Sequence, residues 1–347
     1  MAGEFFVNKT SLEMFDTFRA YGLALAIKGL SRLGDVEIED CGPTFVIKFK
    51  GEVPQSPDSA IFADCEGWQR IFRTFRERKD AKKKNPKDEV KEILEKYFKE
   101  ILEMHRNPEF MPEIDERVEN GMTLYQSIDV SAAKGFREKK LGKTYHEGTQ
   151  LKVDKYSWAI ACLGAAHFGC WQEGADFITS LVPHPFKVLV LSHRQIYSDL
   201  LQEKLCRISS SVTLAHYAVK LMRLLEERRI SEEVVYDSIV FNIMRKTGQQ
   251  PKPAGGGRYE LEFLKSIASE EKGRDALNTM DEVFNMGFVK GIKQDMASAL
   301  ADFILHPTLE NLQRYEDLHL RAHLKREKVP YWNERSWTEV MKHVQTV

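Results

Sequence analysis

Hydrophobic positions along this chain change period several times, and the changes outline an architecture. Leu12, Phe15, Phe18, Leu23, Ile27 and Leu30 recur at helical spacing. They predict a helix over 10–33, capped by Thr10 or Ser11 and closed at Gly34. Val36 and Ile38, then Phe45, Ile47 and Phe49, alternate with polar neighbours around Asp40-Cys41-Gly42-Pro43, the pattern of a half-exposed β-hairpin. Helical spacing returns at Trp68, Ile71, Phe72 and Phe75. It is clearest in Val90, Ile93, Leu94, Tyr97, Phe98, Ile101 and Leu102. Residues 124–130 read as a short strand. Residues 156–168 are apolar on nearly every side, which predicts a buried helix that other segments must cover. Residues 177–182 and 187–192 read as two strands, with Pro183 and Pro185 marking where one ends and the next begins, because proline cannot donate to a ladder.

After residue 192 helical spacing takes over. A helix over 212–229 keeps Leu214, Tyr217, Ala218, Leu221, Leu224 and Leu225 on one side, and Ser231-Glu232-Glu233 looks like the cap and acidic first turn of another ending near Lys246. Residues 247–258, TGQQPKPAGGGR, read as a flexible linker; their three glycines match neither the Walker pattern nor G-x-G-x-x-G. Helices over 259–268, 281–305 and 309–324 follow, the last capped by Thr308. The expected fold class is α+β: an N-terminal mixed helix/strand domain over 1–205, with basic loops, then a C-terminal helical bundle over 206–347.

At 347 residues, 42% hydrophobic and 30% charged, the composition is that of a globular protein, and a formal charge of -1 excludes a wholly basic, histone-like binder. The first residues lack the layout of a signal peptide, and no run approaches 18 apolar residues. Five scattered cysteines suit reduced thiols, so a cytoplasmic protein with no membrane segment is expected.

Cys162, His167, Cys170 and His184 invite a zinc reading. Their C-x4-H-x2-C spacing departs from the paired spacing of closed zinc sites, and buried cysteines with a core histidine explain it, so no metal or other cofactor is expected. No H-E-x-x-H or G-x-S-x-G is present. Charge segregation is the stronger signal. Arg70, Arg73, Arg76, Arg78, Lys79, Lys82, Lys83 and Lys84 face only Glu77 and Asp80, and Lys134, Arg137, Lys139, Lys140 and Lys143 face only Glu138. Arg245, Lys246, Lys252 and Arg258 form a third basic group. A solvated face is the ordinary explanation of a charge run, but such faces usually mix signs. One-signed loops on rigid elements are where phosphate contacts are placed. The candidate nucleic-acid contacts are therefore Arg73, Arg76, Arg78, Lys79, Lys82, Lys83, Lys84, Lys134, Arg137, Lys139, Lys140 and Lys143, together with Lys252 and Arg258.

Two stretches, SLEMFDTFRAYGLALAI followed by GDVEIEDCGPTFVIKF, and WAIACLGAAHF followed by FITSLVPHPFKVLVL, together resemble the large subunit of a type I CRISPR surveillance complex (Cascade), most like the subtype I-A form. The resemblance covers residues 10–225. It implies a non-catalytic subunit that reads the motif flanking a DNA target, helps open the duplex and holds the displaced strand. Its partners would be target DNA, guide RNA, the other Cascade subunits and a recruited helicase–nuclease, with sequence reading delegated to guide–target pairing. No residue is carried over from that family; the basic candidates rest on charge. Two other classes stay open: an enzyme whose site is assembled from dispersed residues, with His167, His184 and His193 as candidates, and a scaffold whose basic loops bind an acidic protein.

Overall fold

The computed structural model describes residues 2–30, 34–71, 86–115, 117–130, 151–247 and 250–344. Its backbone is a seven-stranded antiparallel sheet clasped by helices, an α+β fold whose C-terminal part is helical. The strands are β1 (Ala2–Asn8), β2 (Val36–Asp40), β3 (Thr44–Lys50), β7 (Cys170–Glu173), β8 (Phe177–Leu189), β9 (Val234–Thr247) and β10 (Gln250–Glu260). Their order is β1-β3-β2-β8-β9-β10, with β7 also paired to β8. A small second sheet joins β4 (Ile114–Asp115), β6 (Lys152–Val153) and β5 (Met122–Thr123) in that order.

The buried helix expected at 156–168 is α4 (Lys155–Phe168), capped by Asp154, whose carboxylate accepts from the amides of Tyr156 and Ser157. It crosses α1 (Glu13–Lys28) backbone to backbone. A Cβ on Gly22 would stand 1.9 Å from the carbonyl oxygen of Ile160, and one on Gly164 2.0 Å from that of Phe18. Only glycine allows this approach, so α1 and α4 form the centre of the core with Phe15, Phe18, Trp158 and Phe168 fully buried around them. Helix α1 is shorter than its hydrophobic spacing predicts. Asp16, not Thr10 or Ser11, organises its start by accepting from the Thr10 amide (2.6 Å), and Gly29 at φ +65° ends it before Gly34. The β2–β3 hairpin, α2 (Glu66–Ile71) and α3 (Pro86–Arg106) fall where their spacing predicts.

Several expected elements are corrected. Residues 124–130 are a turn after β5, not a strand. Pro183 and Pro185 do not separate two strands; β8 runs through both. Along one edge β8 pairs with β9 throughout, while along the other it pairs with β7 up to Leu181 and with β2 from Lys187. The prolines sit in the gap between those two partners, where a missing N–H breaks no ladder, and the Pro183 carbonyl accepts from the Tyr21 hydroxyl instead (3.0 Å). The strand ends at Leu189, and α5 (Val190–Gln202) begins at once.

The helix expected up to Lys246 is β9, and the expected linker at 247–258 is β10. Together they form a hairpin on the edge of the sheet, where Pro251, Pro253 and the glycine run are tolerated. The helical part therefore consists of α6 (Ser210–Arg228) and the helices after β10: α7 (Glu262–Ala268), α8 (Gly273–Met286), α9 (Ile292–Leu305), α10 (Leu309–Leu324) and α11 (Glu334–Met341). The single helix expected over 281–305 is α8 and α9, parted near Gly287 and Gly291. Thr308 caps α10 as expected. On β9, Asn242 faces Met14 of α1. Phe241 and Ile243, on the other face, line a cavity of about 670 Å³ with Leu214 of α6 and Phe263 of α7. The sheet thus lies between the α1–α4 layer and the C-terminal helices. Among the described residues no helix is long and apolar enough to cross a membrane.

Candidate nucleic-acid interface and a buried histidine–carboxylate cluster

Arg73, Arg76, Arg78, Lys79, Lys82, Lys83 and Lys84 lie outside the described residues, as do Lys134, Arg137, Lys139, Lys140 and Lys143. The residues that flank the two segments are described, and they meet. Ser127 donates its hydroxyl to the carbonyl of Ile71, the last described residue before the first segment. The Ser127 carbonyl in turn accepts from the Trp171 indole (3.0 Å). Arg70 is held by Glu66 (2.6 Å), and Lys87, on the far side of the first segment, by Asp64. Close to where the second segment ends, Lys155 lies 4.0 Å from the Tyr97 ring centroid and 5.0 Å from that of Tyr156, and Lys96 lies 5.1 Å from Tyr97. The two ammonium groups, Lys96 first, draw the half-buried Tyr97 phenol below its ordinary pKa.

The third basic group is split. Lys252 on β10 stands directly opposite Arg245 on β9, and both are exposed. Like charges paired across strands destabilise a ladder, and a bound polyanion removes the repulsion. Lys246 is engaged by Glu173 (2.6 Å) and by the carbonyl of Gly174 (2.6 Å). Arg258 is drawn inward, with Nε 3.2 Å from Glu13 and Nη1 3.9 Å from Asp237.

Arg258 belongs to a cluster assembled at the split in the sheet. The β8–β9 register passes from the His184–Ser238 pair to the Pro185–Tyr236 pair, so Asp237 is an extra, bulged residue. A bulge re-aims a side chain, and the Asp237 carboxylate lies 2.8 Å from His184 Nδ1. Arg258 Nη2 is 3.0 Å from His184 Nε2. A guanidinium has only donors, so Nε2 accepts and Nδ1 carries the proton given to Asp237. Asp40, at the end of β2, stands 3.5 Å from Nε2 and is held by Lys9 (2.6 Å) and the Gly42 amide (2.9 Å). Burial alone would raise the Asp237 pKa; the hydrogen bonds from His184 and Ser238 and the Arg258 guanidinium outweigh burial and bring it down to about 2. Among the described residues Asp40, His184 and Asp237 are the group whose ligand atoms converge closely enough to hold a metal ion. Two features oppose that use: Arg258 already occupies the imidazole nitrogen facing Asp40, and Lys9 already neutralises Asp40. As it stands, the cluster is an ion network tying α1, β2, β8, β9 and β10 together.

The other zinc candidates do not converge. His167 Nε2 bonds the carbonyl of Ile61 (2.8 Å), and burial lowers its pKa to about 4. Cys162 and Cys170 are buried thiols with raised pKa values. His193 stacks on Tyr21 (4.4 Å between centroids) and bonds the Tyr236 hydroxyl, and burial takes its pKa to about 3. A second network was invisible in the spacing. His216 bonds Asp281 (2.8 Å), and Lys220, fully buried, reaches both Asp281 and Glu203 (2.9 Å each), joining α6 to α8. Asp40 and Asp237 were equally hidden: Asp40 reads as a turn residue, and Asp237 falls within an expected helix. Only the strand pairing of β9 could have exposed their meeting with His184.

No family model matches the sequence. An uncharacterized protein from Archaeoglobus fulgidus is 30% identical over 368 aligned positions that cover 98% of each chain. The chain belongs to one family with that protein.

Proposed function

We propose that this chain, and with it the family it shares with the archaeal protein, is a non-catalytic nucleic-acid-binding subunit of the Cascade large-subunit type. In this reading it works in the cytoplasm with target DNA, guide RNA, sister subunits and a recruited helicase–nuclease. It recognises the motif flanking the target and stabilises the opened DNA. The observation that carries the reading is the Ser127–Ile71 hydrogen bond. Two one-signed basic segments some sixty residues apart in sequence start from adjoining points of the fold. Where cations act on one stretch of phosphates, their attraction adds. The stretches that carry the resemblance, α1 and α4, are also the pair locked together at Gly22 and Gly164.

The test is duplex opening. An RNA-guided complex reconstituted with this chain should make thymines of the target reactive to permanganate next to the flanking motif, and a complex lacking the chain should not. Equal reactivity with and without the chain would overturn the reading.

The Asp40–His184–Asp237 cluster favours a second reading, an enzyme with a dispersed histidine and acid site. Metal-dependent cleavage of DNA by the purified chain, lost in His184→Ala but kept in His167→Ala, would decide for it.

A further inference from the structure

The C-terminal end of α10 carries a surface that folding does not explain. Leu320, Leu324 and Tyr331 are 59%, 75% and 79% exposed. Arg321, Lys325, Arg326 and Lys328 are exposed around them, and among the described residues none of the four forms an ion pair. Glu327, the acid in their midst, is turned to Lys293 (3.5 Å). The chain after α10 doubles back along the helix. His319 bonds the carbonyl of Pro330 (3.0 Å), and the Trp332 indole donates to the Tyr315 hydroxyl (2.8 Å). Tyr331, between those two anchors, is thereby held outward beside the last turns of α10. A helix dipole favours cations in the last turn, which accounts for Arg321. It does not account for Lys325, Arg326 and Lys328, which lie beyond the helix end at Leu324.

We infer that this end of α10 is a second nucleic-acid contact, for a single strand. The inference rests on the nucleic-acid reading above and adds a site far along the chain from the segments used there. Charge complementarity selects a polyanion: four unpaired cations fall within eight residues. The exposed ring selects one with stackable faces, because a held tyrosine offers any unpaired base a platform while the cations track its backbone. Leu320 and Leu324 extend that platform with apolar surface. A duplex hides its base faces and leaves Tyr331 unused.

The experiment measures binding of the full chain to a fluorescent thymidine 20-mer, a uridine 20-mer and a matched duplex, with inorganic polyphosphate as competitor, at several salt concentrations. The variants are Arg321→Ala/Lys325→Ala/Lys328→Ala, Tyr331→Ala, and Lys82→Ala/Lys83→Ala/Lys84→Ala. The α10 triple should lower the single-strand log–log salt slope by about 2, at roughly 0.7 per lost contact. Tyr331→Ala should weaken single-strand binding about fivefold or more and leave duplex binding unchanged, as expected for loss of one stacked base at roughly 1–3 kcal/mol. The thymidine and uridine arms tell DNA from RNA. An unchanged slope in the α10 triple, or polyphosphate competing equally against wild type and Tyr331→Ala with no loss of strand affinity in that variant, would overturn the inference. A partner protein that binds through Leu320 and Leu324 would give that same negative outcome. A loss confined to the Lys82–Lys84 variant would spare the nucleic-acid reading and end this one.

Discussion

His184 shows how a single side chain can stand at the junction of five elements. Its two nitrogens are assigned by their partners: Nδ1–H donates to Asp237 and Nε2 accepts from Arg258. Replacing His184 by alanine strands a carboxylate and a guanidinium together, and should lower the unfolding free energy by about 1–3 kcal/mol. His184→Asn keeps an N–H donor at the Nδ1 position and should lose distinctly less; urea denaturation of the two variants measures the difference. Buried histidines also set a pH dependence. His105, His193 and His167 have pKa values lowered by burial to about 3, 3 and 4. All three are neutral in the folded protein and take up a proton near pH 6.5 when unfolded. Below that value the unfolded state binds more protons, so stability falls as pH drops from about 6.5 towards 4, by up to roughly 1.4 kcal/mol per pH unit for each histidine. Denaturation midpoints between pH 7 and pH 5 should decline, and His193→Phe should make the decline shallower. A flat profile would show that these rings bind protons in the fold as readily as in the unfolded chain.

Legibility at the level of elements follows from how much each owes to distant partners. Helix α4 was readable because Trp158 to Phe168 is apolar on nearly every side, which leaves burial as the expected outcome. The β2–β3 hairpin was readable because its register is local. Strand β9 was not. Ser231-Glu232-Glu233 imitates a helix start, yet Val234, Tyr236, Ser238, Val240, Asn242 and Met244 are buried on alternate positions once β8 lies alongside. The glycines and prolines of β10 argue for a loop by propensity, and only their place on the sheet edge lets them stand as a strand. Gly22 and Gly164 look like weak points of two helices and are instead the reason the helices meet. Gly164→Ala should therefore cost about 1–3 kcal/mol or more, because the new methyl has no room short of parting α1 from α4. A melting temperature equal to that of the wild type would contradict that packing.

At the scale of the whole molecule, a close-packed centre at Gly22 and Gly164 stands beside strongly segregated charge in the sequence. Its formal charge of -1 conceals basic segments whose flanking residues adjoin, a cross-strand Arg245–Lys252 pair and the cationic end of α10. The candidate site was legible in the sequence as charge, because one-signed runs stand out without any fold. What the sequence could not tell was which cations are already spent. Arg258 and Lys246 read like the others, and the tertiary structure gives each an acidic partner. Lys252 has like charge opposite it. Binding should accordingly depend on the segments holding Lys82 to Lys84 and Lys139 to Lys143, and scarcely on Lys246.

The most direct measurement is a salt titration of duplex DNA binding. Wild type is compared with Lys82→Ala/Lys83→Ala/Lys84→Ala, Lys139→Ala/Lys140→Ala/Lys143→Ala and the single variant Lys246→Ala. Each lost phosphate contact lowers the log–log slope by about 0.9, so each triple should flatten it by roughly two to three units while Lys246→Ala leaves it in place. Slopes identical in all four proteins would mean that the basic segments are solvated faces, and the nucleic-acid account would fall with them.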